Sequence, residues 1–178
     1  MDDHGHTGFT LVELLATLAI VAILIGIAVP AMALHLEKAR LQAASEALVQ
    51  ELRQARNHAI NYRRTVHFSY RLDTPDWCFG WSDLKPCDCR SETGNNRCAS
   101  GTPEASRIHR LLARDFTSIR VTGRSATSMG TLKLSPVRGT ATAASFILHS
   151  RTADLKVIIS PLGRVRACSA GGSGARQC

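Results

Sequence analysis

The sequence predicts an α+β fold in which one long N-terminal helix packs on an antiparallel β-sheet. Residues 14–34 carry no formal charge, and beyond them apolar residues recur at intervals of three and four up to about residue 62. The rest of the chain alternates with period two between turns that contain Gly, Pro and Ser. The part beyond residue 36 is long enough for one hydrophobic core but not for two.

The first part of the predicted helix is apolar enough to span a bilayer. Leu14 to Leu34 is a run of 21 uncharged residues, and a helix of that length measures about 30 Å, close to the thickness of a hydrocarbon core. No small-residue cleavage site follows it, so we expect it to remain as an anchor. Glu13 lies at the edge of this run, where an ionisable side chain needs a partner.

The second part of the helix is amphipathic, and strands follow it. Its apolar stripe, suited to packing on a sheet, consists of Leu41, Ala44, Leu48, Leu52, Ala55 and Ala59. Strands are predicted near 66–70, 77–81, 118–122, 131–134, 145–149, 156–159 and 164–168. Trp77, Phe79 and Trp81 occupy alternate positions, and we expect them in the core rather than on a base-stacking surface.

Six cysteines lie beyond the apolar run and favour an oxidising compartment. Four of them have the spacing C-x8-C-x-C-x8-C, which lacks the closely spaced pairs of a structural zinc site. They are Cys78, Cys87, Cys89 and Cys98. The sequence therefore predicts disulfides that stabilise a polar loop at residues 83–104, with the pairing left open because four cysteines allow three pairings. Cys168 and Cys178 stand apart and are candidates for a further disulfide.

Positive charge is concentrated in the C-terminal part. Residues 1–104 have a net charge of −2, whereas residues 105–178 have a net charge of +10. Such an excess indicates a polyanionic partner, either nucleic acid or an anionic membrane surface, and a merely solvated basic surface is the alternative. The histidines are scattered, and no cluster has the spacing of a metal site or a catalytic triad. We therefore predict no cofactor, no bound metal and no enzymatic activity.

The N-terminus resembles the processing signal of type IV pilins. The polar stretch MDDHGHTG is followed by FTLVE and the hydrophobic run. The resemblance implies a leader at residues 1–8, a membrane and assembly helix at 9–36 and a periplasmic head at 37–178. A prepilin peptidase would cleave between Gly8 and Phe9 and methylate the new amine of Phe9. Glu13 would then neutralise the terminal amine of a neighbouring pilin during assembly from the inner membrane into the pilus.

The remainder resembles the GspH/FimT minor pilins and pseudopilins. This resemblance is carried by WCFGW, by VIISPLGRVRAC and by the order of helix then sheet, and it implies a pilin-like fold. Some FimT-type minor pilins are implicated in DNA binding for natural transformation through a GRxR motif, which Gly163, Arg164, Val165 and Arg166 match. The implied function is a minor pilin that binds DNA non-specifically during uptake. The alternative is a structural minor pilin, or a GspH-type pseudopilin of a type II secretion system, without DNA binding.

The residues around this motif are chemically suited to phosphate binding. Residues 160–163 form a predicted turn, with Pro at its second and Gly at its fourth position. In the strand that follows, Arg164 and Arg166 project from one face roughly 6.6 Å apart, while Val165 faces the core. A Cys168–Cys178 disulfide would hold Arg176 near them. Further cationic candidates for DNA binding are Arg138, Arg151 and Lys156. No base-reading module is visible, so sequence specificity is not expected.

Overall fold

The computed structural model describes residues 10–101, 107–123 and 129–169. The chain divides into two units, Met1–Leu36 and Glu37–Cys178. Helix α1 (Leu11–Tyr62) contributes residues to both of them. It ends at the predicted residue, and Arg63, with a φ of 52°, follows it at the start of the connection to the first strand.

The first unit is the apolar part of α1. Thr10 caps this helix, since its Oγ1 accepts a hydrogen bond from the backbone N–H of Glu13 at 3.2 Å. An 18-residue window of the helix has a mean hydropathy of 2.7, and none of that window is buried within the chain. By length and composition this segment is suited to cross a membrane.

The second unit contains the amphipathic part of α1 and the β-strands. The strands are β1 (Val66–Arg71), β2 (Cys78–Ser82), β3 (Ala99–Ser100), β4 (Arg107–Ile108), β5 (Arg110–Leu112), β6 (Arg120–Gly123), β7 (Met129–Leu134), β8 (Ala144–His149), β9 (Asp154–Ile159) and β10 (Val165–Ser169). The first sheet has the antiparallel order β5-β2-β1-β7 and the second the order β10-β9-β8-β6, while β3 pairs with β4. Every predicted strand is present to within two residues at its ends. The sequence did not predict the division into two sheets or the short strands β3, β4 and β5.

One hydrophobic core joins the helix to both sheets. All six residues of the predicted helical stripe are at most 1% exposed. Trp77, Phe79 and Trp81 are at most 2% exposed, which confirms them as core residues. The indole N–H of Trp77 donates to the carbonyl of Ile119 at 2.8 Å, and that of Trp81 donates to the Glu51 carboxylate at 2.9 Å. Both buried donors are therefore satisfied, as large amphipathic rings in a core require.

Two disulfides fix the polar loop that follows β2. Cys78 pairs with Cys89 and Cys87 pairs with Cys98, which settles the pairing that the sequence left open. Each bond closes a short loop and is expected to stabilise the head by about 2–3 kcal/mol. Ion pairs also attach the loop to the head, among them those of Arg90 with Asp73 and of Arg110 with Glu92.

A histidine stacked on the core makes stability depend on pH. The ring of His109 stacks on the Trp81 indole with centroids 3.6 Å apart, and its Nε2 lies 2.9 Å from the Ser100 hydroxyl. Burial, and then the neighbouring charge of His58, lowers the pKa of His109 to about 4. Because the unfolded ring titrates near pH 6.5, the unfolded chain takes up its proton first as the pH falls. This group therefore lowers stability progressively between about pH 6.5 and 4.

We expect His109→Gln to reduce this pH dependence. Glutamine retains a polar group for Ser100 but does not titrate, so the loss of stability on acidification should be smaller than in the unchanged chain. The difference in slope is at most about 1.4 kcal/mol per pH unit, and less because the ring is only half-buried. Thermal unfolding at pH 7, 6, 5 and 4, followed by near-ultraviolet circular dichroism, measures it. Parallel curves for the two proteins would contradict the assignment.

Candidate functional site

The basic motif begins on a tight turn between β9 and β10. The backbone N–H of Gly163 donates to the carbonyl of Ser160 at 2.8 Å, and that of Ser160 donates to the carbonyl of Arg164 at 3.0 Å. Gly163 has a φ of 71°, the left-handed conformation that glycine supplies at the end of a three-residue hairpin loop. The predicted turn is confirmed.

The turn packs closely against the helix and a second loop. A side chain at Gly163 would clash with the carbonyl oxygen of Gly139 and would lie 2.6 Å from Nε of Arg56. That Nε donates to the Gly139 carbonyl at 3.0 Å, and the N–H of Ala141 donates to the carbonyl of Pro161 at 3.0 Å. Gly163 is itself buried. The position of the turn is thus fixed from two sides.

The two arginines of the motif are exposed on either side of Val165, which is partly buried against the core. Arg166 lies on β10 opposite Ile158 of β9. The backbone N–H of Arg164 donates to the Ser160 hydroxyl at 3.2 Å. Within the described residues, neither guanidinium has a carboxylate within ion-pair distance.

Six other arginines of the head are already paired with carboxylates. The pairs are Arg64 with Asp83, Arg71 with Asp88, Arg90 with Asp73, Arg110 and Arg114 with Glu92, and Arg151 with Glu37. Their charges are partly balanced within the chain. Those of Arg164 and Arg166 are available to an anion from outside, and a guanidinium binds a phosphate through two parallel charge-assisted hydrogen bonds.

The remaining basic candidates lie at different distances from the motif. Arg138 is exposed in the loop whose Gly139 contacts the turn. Lys156 lies on β9, and the strand register places it on the same face as Arg166. Arg151 lies in the connection between β8 and β9, at the opposite end of the sheet, roughly 20 Å along the strand. The structure therefore brings Arg138 and Lys156 to the motif but not Arg151.

Several predicted residues fall outside the described part of the chain. They are Gly8, Phe9, Arg176 and Cys178. Cys168 is disulfide-bonded, and its pairing with Cys178 stays a prediction. Glu13 is exposed in the first turn of α1. In the described residues, no group of three or more His, Cys, Asp or Glu is placed to hold a metal ion.

The sequence analysis did not single out Arg120, a further exposed arginine of the second sheet. It is exposed on β6, opposite His149 of β8, and forms no ion pair among the residues described. The buried Val121 beside it indicates that Arg120 faces solvent. Its place relative to Lys156 depends on the order of the strands, for which the sequence carries no local signal.

Two family models match the chain. The one described as type II transport protein GspH matches residues 44–163, and the prokaryotic N-terminal methylation motif matches residues 4–29. The second match includes the predicted cleavage site between Gly8 and Phe9. No curated protein sequence matches the chain significantly.

Solved structures of pilin-like proteins resemble this one. The type IV minor pilin FimU of Pseudomonas aeruginosa is 20% identical over 79% of this chain and 96% of that chain, with a TM-score of 0.48. The minor pseudopilin EpsH from the type 2 secretion system of Vibrio cholerae is 11% identical over 75% of this chain and 99% of that chain, with a TM-score of 0.50. The likeness to EpsH shows a common fold, which confirms the predicted architecture.

The match to GspH covers more than half of the chain and includes most of the helix and strands of the head. The methylation motif covers the start of the apolar helix. Proteins of this kind are structural pilin subunits rather than enzymes, and they assemble with other pilins after processing by a prepilin peptidase. The chain therefore belongs to the GspH family and is a minor pilin or pseudopilin of a type IV pilus or a type II secretion system.

Proposed function

We propose that this chain is a FimT-type minor pilin of a type IV pilus whose head binds DNA without sequence preference and so supports DNA uptake in natural transformation. The observation that carries the proposal is the pair of exposed guanidiniums, Arg164 and Arg166, on a turn of fixed position. Because that turn is held by Arg56 and Gly139, little backbone freedom is lost when the arginines bind.

Neighbouring residues extend this binding site. Arg138 lies beside the turn, and Lys156 lies on the same sheet face as Arg166. Arg176 joins them if the Cys168–Cys178 disulfide closes the C-terminal loop. Gly163 is buried, so its part in binding is to shape the turn. Arg151 is paired with Glu37 at 3.6 Å and serves at most the distant end of the site.

These contacts are suited to any DNA sequence. Phosphate contacts position a protein on DNA but carry no direct sequence information. In the described part of the chain the one α-helix is α1, which packs in the core, and the only other helical segment is the three-residue 3₁₀ turn Ala113–Asp115, so neither is a recognition helix for the major groove. Non-specific binding is what the uptake of arbitrary DNA requires.

The N-terminal part of the proposal concerns processing and assembly. A prepilin peptidase cleaves between Gly8 and Phe9 and methylates Phe9; residues 9–36 then cross the inner membrane once, with the head in the periplasm. The methylation motif and the apolar helix that begins at Leu11 support this order. Glu13 is exposed within the chain, so its carboxylate is available to the Phe9 amine of a neighbouring subunit. In a low-dielectric environment either charge alone would be destabilising.

A gel-shift titration tests DNA binding. The full chain, solubilised in a nonionic detergent, is titrated against two duplexes of equal length and unrelated sequence at about 50 and 200 mM salt. We expect equal affinity for both duplexes and a steep loss of affinity with salt, since each phosphate contact adds about −0.9 to the logarithmic slope. A chain that shifts neither duplex at the lower salt concentration contradicts the proposal. The function would then be that of a structural subunit, such as a pseudopilin of a type II secretion system, in line with the family description.

A further inference from the structure

The face of the second sheet that carries Arg166 continues well beyond the GRxR turn. Buried residues such as Phe146 and Val157 alternate along the strands with residues that point away from the core. We call the latter surface the outer face; it consists of Arg120, Thr122, Ser145, Ile147, His149, Asp154, Lys156, Ile158, Arg166 and Cys168. Apart from Cys168, which is 5% exposed, none of these residues is fully buried.

Three cations cross the outer face on a diagonal. Arg166 lies opposite Ile158, Lys156 is two residues from Ile158 along β9, and Arg120 lies on the far strand β6. Arg120 is three strands away from Arg166 and is displaced by four residues along the strand direction. Adjacent strands are about 4.8 Å apart and two residues span about 6.8 Å, so Arg120 lies about 20 Å from Arg166. Lys156 lies between them. No carboxylate among the described residues pairs with any of the three side chains.

The outer face carries one carboxylate, that of Asp154, and it is paired with a histidine. Asp154 Oδ1 is 2.9 Å from Nδ1 of His149, whose Nε2 is 2.9 Å from the Thr122 hydroxyl. Besides this histidine, the outer face holds three basic side chains and one carboxylate. Arg120 also lines a groove of about 490 Å³ past the edge of the sheet, where the other charged residues are Asp76, Arg114 and Arg151 and both of these arginines are paired with glutamates.

We propose that DNA held at the turn continues across the outer face along this diagonal, and that Arg120 is a further phosphate contact. The inference rests on the proposed function and assigns the course of the DNA over the head. Arg120 is too far from the turn to grip the same phosphate as Arg166. Contacts at both ends of the diagonal would fix the direction of the DNA on the sheet as well as its attachment, while still reading no bases.

Single substitutions in the full chain test the path. Arg120→Ala should weaken binding to both duplexes several-fold at about 50 mM salt and reduce the salt slope by about 0.9. Asp154→Asn keeps a partner for His149 but removes the opposing charge, so it should tighten binding. The matched control is Arg53→Ala, which removes an exposed arginine from α1 and should leave the slope unchanged. Arg120→Lys, which retains the charge, should restore the slope.

The outcomes separate this inference from the proposed function. If the unchanged chain shifts no duplex, both are wrong. If Arg164→Ala/Arg166→Ala weakens binding but Arg120→Ala behaves like Arg53→Ala, the DNA leaves the sheet at the turn and only the path is wrong. Flotation with vesicles that contain anionic phospholipid tests whether the outer face binds a membrane surface instead of DNA. A loss confined to vesicle binding in Arg120→Ala would assign the outer face to a membrane surface and overturn the path.

Discussion

Replacing Arg164 and Arg166 together by alanine should lower the affinity for duplex DNA about a hundredfold at low salt, because each lost phosphate contact is worth about 1.4 kcal/mol or more. The logarithmic salt slope should fall by about 1.8, since two contacts are removed. Both effects should be the same for unrelated duplexes. The gel-shift titration of the full chain described above measures affinity and slope together.

The controls separate phosphate contacts from general loss of charge. Arg40→Ala/Arg53→Ala removes the same charge from two exposed positions of α1 and should leave the slope unchanged. Arg164→Lys/Arg166→Lys retains the charge but not the forked geometry, so its slope should match the unchanged chain while its affinity falls. Equal losses in the two alanine pairs would show that binding follows net charge and would contradict a site at the turn.

The local parts of this site were predictable from the sequence. Pro161 and Gly163 define the turn through their own backbone preferences, and the alternation around Val165 sets which side chains face solvent. The helical stripe was equally clear, because it repeats over several turns of α1. These predictions depend on residues close together in the chain, and the structure confirms them.

The non-local parts were not predictable. Arg151 and Arg164 look alike in the sequence, yet of these two only Arg151 pairs with a carboxylate among the described residues, and its partner Glu37 lies on a different element far away along the chain. Arg120 joins the outer face only because β6 is placed beside β8. Strands β3 and β4 have two residues each, too few to show any periodicity. Strand order, ion pairing and disulfide pairing are decided by tertiary packing, which leaves no signal in a short window.

Gly163→Ala should destabilise the head by about 2–5 kcal/mol, because two costs add. A non-glycine residue at a φ of 71° loses about 1–2 kcal/mol, and the new Cβ would clash with the Gly139 carbonyl and with Arg56, which is overpacking worth about 1–3 kcal/mol. The thermal midpoint should fall by about 10 °C. At a temperature where the variant is still folded, DNA binding should also weaken, because the turn that presents Arg164 is displaced.

Gly94→Ala is the matched control for the backbone contribution. Gly94 has a φ of 83°, but a Cβ there would meet nothing within 4 Å. This variant should therefore lose only about 1–2 kcal/mol and bind DNA normally. The difference between the two variants isolates the close approach of the turn to Gly139 and Arg56. If Gly163→Ala and Gly94→Ala lose the same stability, the approach of the turn to Gly139 and Arg56 does not constrain the turn. The low entropic cost assigned to DNA binding by Arg164 and Arg166 would then have no structural basis.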